Sequence, residues 1–327
     1  MPGTLLLGGN GMLGRAIARA LLTEGHAVTA LARGDSGEFP EGVEPLRINR
    51  SDPRAYDRVA RHDWDAVIEL ALEPALVAGA LAALAPRARH WTFISSVSVY
   101  AENSTPGATE LARIVAADPA GDYAARKAHG EALTRAALGE RALIARPGLI
   151  AGGEDPSDRF GYWVGRFALA GAGPVLIPDT AGRFAQAIDA EDLAGWVARS
   201  GRRGTTGIIN AVGHALPLAD FLMLARAVAG HSGPVITVSD ERLLAEGIGY
   251  WAGPRSLPLW LPRADAGFSL RSNTRFRRSE GTLRPVSDTL RGALVGELRR
   301  GLDRAPRRAG LTRAEELALL PGVEPRA

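Results

Sequence analysis

The chain has 327 residues, 46% hydrophobic, with 39 basic and 36 acidic side chains, a formal net charge of +3 and a sequence pI near 9.6. The length suits one large globular unit or two smaller ones, and the absence of cysteine excludes disulfides, thiolate metal sites and a cysteine nucleophile. The six histidines (26, 62, 90, 129, 214, 231) show no metal-ligand spacing, no apolar run is long enough to span a bilayer, and the high pI reflects arginine written in place of lysine rather than a nucleic-acid surface.

Met1-Pro2-Gly3 leads straight into an apolar run, so no secretory leader is read and the expected location is cytoplasmic. Residues 4–7 read as a buried strand, then a glycine turn, then a helix over about 12–23. Strands follow at 27–31, 43–48, 66–70, 91–95 and 142–145, with helices opened near Ser51-Asp52-Pro53 and running over 74–84 and 123–138. Strands alternating with helices predict an α/β fold with a doubly wound parallel sheet covered on both faces. The rhythm breaks after Arg146-Pro147-Gly148. Residues 151–183 are rich in glycine, proline and aromatics, 192–199 read as a helix, with Asp192 as its cap rather than an acid/base group, and 207–211 as one more strand. Shorter elements follow, including a loop over 251–262 and a last helix started by the capping-box pattern Thr312-Arg313-Ala314-Glu315. The expected division is a dinucleotide-binding unit, 1–150 with about 184–212, interleaved with a substrate or lid unit, about 151–183 and 213–327.

Gly8-Gly9-Asn10-Gly11-Met12-Leu13-Gly14 follows the first strand and opens the first helix. Glycines there permit a tight turn and bring a pyrophosphate close to the free amides of a helix N-terminus. Where a free ribose 2′-hydroxyl would call for an acid after the second strand, the chain has Arg33, 19 residues beyond Gly14. A guanidinium there suits a 2′-phosphate and favours NADP(H) over NAD(H), although Asp35 stands close by. Asn49, after the third strand, and Ala71, after the fourth, are further candidate cofactor contacts.

Lys127 is the only lysine, and it stands four residues after Tyr123. On a helix this spacing puts both side chains on one face. A compact ammonium with three donors can hold a phenol and a ribose together, which a planar guanidinium cannot. The fifth strand ends Ser95-Ser96-Val97-Ser98, at the edge of a parallel sheet where ligands bind, so Ser96 is the candidate third member, with Ser95 and Ser98 as competitors.

Taken together, these residues resemble the extended or atypical branch of the short-chain dehydrogenase/reductase superfamily, the NAD-dependent epimerase/dehydratase group. The likeness covers about residues 1–150 and, more weakly, 187–193. It implies Ser96, Tyr123 and Lys127 as the catalytic set, Lys127 also on the nicotinamide ribose, and Pro147-Gly148 beside the nicotinamide. It implies a small-molecule substrate and leaves a homodimer open. Two departures weaken a nucleotide-sugar substrate: Gly148-Leu149-Ile150-Ala151-Gly152 lacks the asparagine of epimerases, and Ser96-Val97-Ser98 lacks the carboxylates of dehydratases. The expected activity is hydride transfer between a nicotinamide and a carbonyl or secondary alcohol. Tyr123 is its general acid/base and Ser96 holds the oxygen, while the ammonium of Lys127 favours the phenolate. The alternatives are an epimerase or dehydratase that recycles its own cofactor, and a non-catalytic cofactor-binding regulator or RNA-binding protein. Tyr162, Trp163, Trp251 and Trp260 either line a pocket or fill a core.

Overall fold

Apolar runs without polar alternation form strands covered on both faces. The computed structural model, which describes residues 2–320, gathers such runs, with one edge segment that is more polar, into one seven-stranded parallel sheet. The strands are β1 (Gly3–Leu7), β2 (Ala27–Ala32), β3 (Val43–Arg47), β4 (Trp64–Glu69), β5 (Ala88–Ile94), β6 (Ala142–Pro147) and an edge strand, Gly207–Ala211. Their order is β3-β2-β1-β4-β5-β6 followed by that edge strand. Leu7 pairs with Leu31 on one side and Glu69 on the other, so the chain reverses its winding beside β1. The crevice at such a reversal, beyond the carboxyl ends of the strands, is where open parallel sheets bind ligands. Pro45 lies in β3, an edge strand, where a missing N–H disturbs the ladder least.

Helices α1 (Met12–Thr23) and α5 (Ala190–Arg203) pack together on one face of the sheet. Helices α2 (Pro74–Leu84) and α3 (Tyr123–Leu138) pack together on the other. A separate hydrophobic cluster joins α4 (Phe160–Ala170), α6 (Leu218–Ala229) and the helix Val286–Arg300. It rests on a three-stranded sheet of Leu149–Ala151, Phe184–Asp189 and Ala215–Pro217. No helix among the described residues is long and apolar enough to cross a membrane.

The expected strands and most helices stand where the pattern puts them, and Thr312 and Glu315 do form a capping box. Two expectations are corrected. The helix opened at Ser51-Asp52-Pro53 is absent: the segment is a series of turns ending in the single 3₁₀ turn Val59–Arg61, with Tyr56 and Val59 its anchors in the core. The cap of α5 is Asp189, whose carboxylate accepts from Glu191 N at 2.9 Å. Asp192 sits inside the first turn and accepts from Arg284 Nε at 3.0 Å.

Candidate active site

The turn between β1 and α1 is tight, and two of its glycines leave no room for a side chain or need a left-handed backbone. Gly8 has φ +97°, and a Cβ on Gly14 would lie 2.7 Å from the Gly9 carbonyl carbon, so α1 presses directly on the turn. Around Gly11, by contrast, a Cβ would meet nothing within 4 Å. The first turn of α1 has no side-chain cap, so its amides face an open cradle of the kind that accepts a pyrophosphate. Arg15 fastens the cradle to the loop after β2 through hydrogen bonds from Nη1 to Asn10 O (2.6 Å) and Ser36 O (2.9 Å).

Asp122 caps α3 by accepting from Ala125 N at 2.9 Å, which fixes where the helix begins. From that start, Tyr123, Lys127 and Glu131 fall on one stripe at four-residue intervals. Tyr123 is 47% exposed at the mouth of the cleft, Lys127 is buried beneath it, and Glu131 is deeper still. Gly130 allows this close approach, since a Cβ there would lie 2.6 Å from the Phe93 ring of β5. Lys127 Nζ donates to Ile94 O at 2.7 Å and Ala71 O at 3.0 Å, and lies 5.1 Å from the centre of the Phe93 ring. An ammonium has three donors, so one N–H remains.

Two buried carboxylates flank this ammonium, and both already hold arginine. Glu131 takes Arg146 bidentately (2.8 and 2.6 Å) and accepts from Ser95 Oγ at 2.5 Å. Glu69 takes Arg50 bidentately and accepts from Ala71 N at 2.8 Å. Burial pushes Lys127 down to about 8, against the pull of Glu69 and Glu131. Relative to an unfolded value of 10.5 the folded value is depressed, so the desolvation cost to stability is fully present below pH about 8 and is relieved as pH rises toward 10.5. The charge itself is lost over the same rise. With one lysine in the chain, protein labelled at lysine Cε gives a single carbon resonance. Its titration midpoint is expected near 8, and a midpoint at the ordinary 10.5 would show that the ammonium is not desolvated in this way.

Ser96 begins a 3₁₀ turn: its Oγ accepts from Ser98 N and donates to Ser98 Oγ, both at 3.1 Å. Ser95 is turned inward to Glu131, which leaves Ser96 and Ser98 facing the crevice. A cleft of about 610 Å³ brings together Met12, Leu13, Ser96, Tyr123, Lys127, Pro147 and Gly148. Asp155, Ser157, Arg159, Trp251 and Phe268 close its far side.

Other candidates lie elsewhere. Arg33 is on the surface in an ion pair with Asp35 at 3.2 Å, at the end of β2. Asn49 is exposed, its Oδ1 accepting from Ser51 N at 3.0 Å, and Ala71 contributes the carbonyl that receives Lys127. Tyr162, Trp163 and Trp260 are core residues, with Trp163 Nε1 donating to Pro258 O at 2.7 Å, while Trp251 reaches the cleft. Sequence reasoning assigned nothing to Glu69, Glu131 or Arg159. The one available signal was Glu131's place four residues beyond Lys127 on the same helical stripe.

The profile of the NAD dependent epimerase/dehydratase family matches residues 4–210. A relative, 2'-dehydrokanamycin reductase of Streptomyces kanamyceticus, is 34% identical over 189 residues, 55% of this chain and 53% of that protein. The match thus spans about half the length of that relative. UDP-glucuronic acid 4-epimerase of Bacillus cereus, solved with NAD, superposes with a TM-score of 0.67 at 15% identity, over 91% of this chain and 100% of that one. UDP-glucose 4-epimerase of Thermus thermophilus, also with NAD, gives 0.64 at 18% identity, over 91% and 99%. At such identities the likeness is one of fold.

Proposed function

Because this chain belongs to the NAD dependent epimerase/dehydratase family, within the extended short-chain dehydrogenase/reductases, we propose that it is an NADP(H)-dependent oxidoreductase. It reduces a carbonyl, or oxidises a secondary alcohol, of a small organic substrate. The observation that carries this reading is the buried Lys127 ammonium set one helical turn below the half-exposed Tyr123, at the floor of a cleft that also holds Ser96. The relative named as a reductase favours net carbonyl reduction over internal recycling. Residues 1–150 with about 184–212 hold the cofactor, and the remainder shapes the substrate's side of the cleft.

The amides at Gly11, Met12 and Leu13 would hold the pyrophosphate, and Pro147 and Gly148 would border the nicotinamide, which when bound would supply or accept the hydride. Tyr123 gives its proton to the oxygen of the reacting carbonyl, or takes it back in the other direction. The Ser96 hydroxyl turns from Ser98 to donate to that same oxygen as negative charge develops, a contribution of about 3 kcal/mol by analogy with other donors of this kind. Lys127 stands one helical turn below the phenol with two of its N–H groups on Ile94 O and Ala71 O, and its third N–H would serve the ribose. The test is deuterium transfer. Deuterated NADPH and a panel of aldehydes and ketones should yield an alcohol one mass unit heavier, in amounts exceeding the protein, whereas label that never leaves in net amounts overturns the reading.

Arg33 supports NADP(H), and Arg47 joins it. A Cβ on Gly34 would lie 2.5 Å from Arg47 Nη1, so two guanidinium groups border the loop after β2, Arg33 paired with Asp35 and Arg47 with Glu38 at 3.0 Å. Arg33→Ser is expected to weaken NADPH binding roughly tenfold or more, the scale of a charged hydrogen bond, with little effect on NADH. Equal changes for the two nucleotides, read by titration of nicotinamide fluorescence, would remove Arg33 from the 2′-phosphate.

A further inference from the structure

The proposed chemistry leaves two charged groups of the cleft, Asp155 and Arg159, without a task. Arg159 is half-buried at the start of α4 and faces the cleft. Its guanidinium lies over the Trp251 ring, 5.4 Å from the centroid, and its Nε donates to Ser157 Oγ at 3.2 Å. Among the described residues its two terminal nitrogens have no hydrogen-bond partner and no carboxylate in an ion pair. Nearby arginines are spoken for: Arg166 holds Glu316, while Arg300, Arg304 and Arg307 converge on Glu297.

The segment leading into Arg159 is fastened at two points. Asp155 accepts from Ser157 N at 2.8 Å and Ser157 Oγ at 2.9 Å. Asp158 has φ +59°, a left-handed conformation that is costly for a residue with a Cβ. Its carboxylate is held there by Arg304 and by the Arg308 N–H at 2.8 Å. Strain maintained by dedicated contacts, immediately before a side chain delivered to a cleft, points to function rather than to a solvated surface arginine. Burial weakens the guanidinium's hold on its proton, and the nearby Asp155 carboxylate opposes that effect.

We propose that Arg159 determines specificity by taking a carboxylate, so that the substrate class is an oxo acid and the product a hydroxy acid. The inference rests on the assignment of Tyr123 and Ser96 to a carbonyl oxygen. The paired terminal N–H groups of a guanidinium match the two oxygens of a carboxylate, and Trp251, holding the guanidinium's face, fixes the plane of that fork. Phe268 and Leu149 offer apolar surface to the rest of the molecule. The oxo carbon gains a hydride from the reduced nicotinamide and its oxygen gains a proton from Tyr123, which solvent replaces. The carboxylate is unchanged.

The test measures binding separately from turnover. Pyruvate, acetoacetate and benzoylformate, each beside its methyl ester, are titrated calorimetrically into full-length protein loaded with NADP, for wild type, Arg159→Gln and Arg159→Lys. At least one acid should bind wild type more tightly than its ester, with a loss of about tenfold or more in Arg159→Gln and a partial loss in Arg159→Lys, which keeps charge without the fork. Unchanged NADP affinity in the variants controls for folding. Failure of all three acids to bind wild type, ester binding as tight as acid binding, or equal acid binding by wild type and Arg159→Gln would overturn the proposal. An acid bound through Arg159 yet never reduced would overturn the reductase reading and with it the hydroxy-acid product, leaving only the carboxylate contact of Arg159 standing. Reduction of an ester as fast as its acid would do the reverse.

Discussion

Tyr123→Phe is expected to lower turnover about 10²–10⁴-fold, the range for removing a positioned general acid, with NADPH affinity and thermal stability close to wild type. The reason lies in where the phenol stands. Tyr123 is 47% exposed at the first position of α3 and forms no part of the hydrophobic clusters. Its ring remains in phenylalanine, and the Asp122 cap that starts the helix is untouched. Only the hydroxyl is lost. Single-turnover oxidation of NADPH, with a melting curve alongside, separates the outcomes. An undiminished rate would remove Tyr123 from the chemistry, and a collapsed melting curve would mean the ring is structural.

Lys127→Arg is expected to cost about 10²-fold or more, the scale of a misplacement of about 1 Å at a reacting centre, although the charge is conserved. The ammonium sits in a slot with two backbone acceptors, Ile94 O and Ala71 O, and α3 lies against Phe93 with no space at Gly130 for even one extra carbon. A planar guanidinium brings five N–H groups into that slot. Those left unpaired each cost about 1–3 kcal/mol, so α3 must lift or the group must swing into the cleft. Either movement displaces Tyr123. A lowered melting temperature should therefore accompany the lost activity, unlike Tyr123→Phe. Near-normal kcat/KM in Lys127→Arg would show that charge alone suffices and that the sole lysine has no special task.

Much of this arrangement is legible in the chain because period and composition act locally. Residues 4–7 and 142–147 become strands because every position is apolar or internally paired, and the glycines at 8 and 14 permit a tight turn into a helix. Lys127 stands out because arginine fills every other basic position. What stays hidden depends on meetings between distant segments. Glu131 and Arg146 lie 15 residues apart on different elements, and nothing in their spacing marks them as a buried pair beneath the site. Arg159 is one arginine among many, and its orientation is set by a left-handed Asp158 held from Arg304 and Arg308, 146 and 150 residues away. The helix expected to open at 51–53 is likewise decided by distant contacts. Ser51-Asp52-Pro53 is a proper start signal, but the segment closes as turns, with Ala55, Tyr56 and Val59 in the core and the Tyr56 hydroxyl accepting from Arg50 Nε at 2.9 Å.

The most direct test of net hydride exchange is the cofactor state of the purified protein. Protein is denatured, any released nicotinamide is identified by chromatography, and cofactor-free protein is then titrated with NADPH and NADH. A reductase that exchanges its cofactor with solution should come through purification largely empty, bind NADPH more tightly than NADH, and oxidise it when a carbonyl substrate is added. Stoichiometric NAD retained through purification, with no net oxidation of added NADPH, would contradict the account and identify an enzyme that recycles its own cofactor.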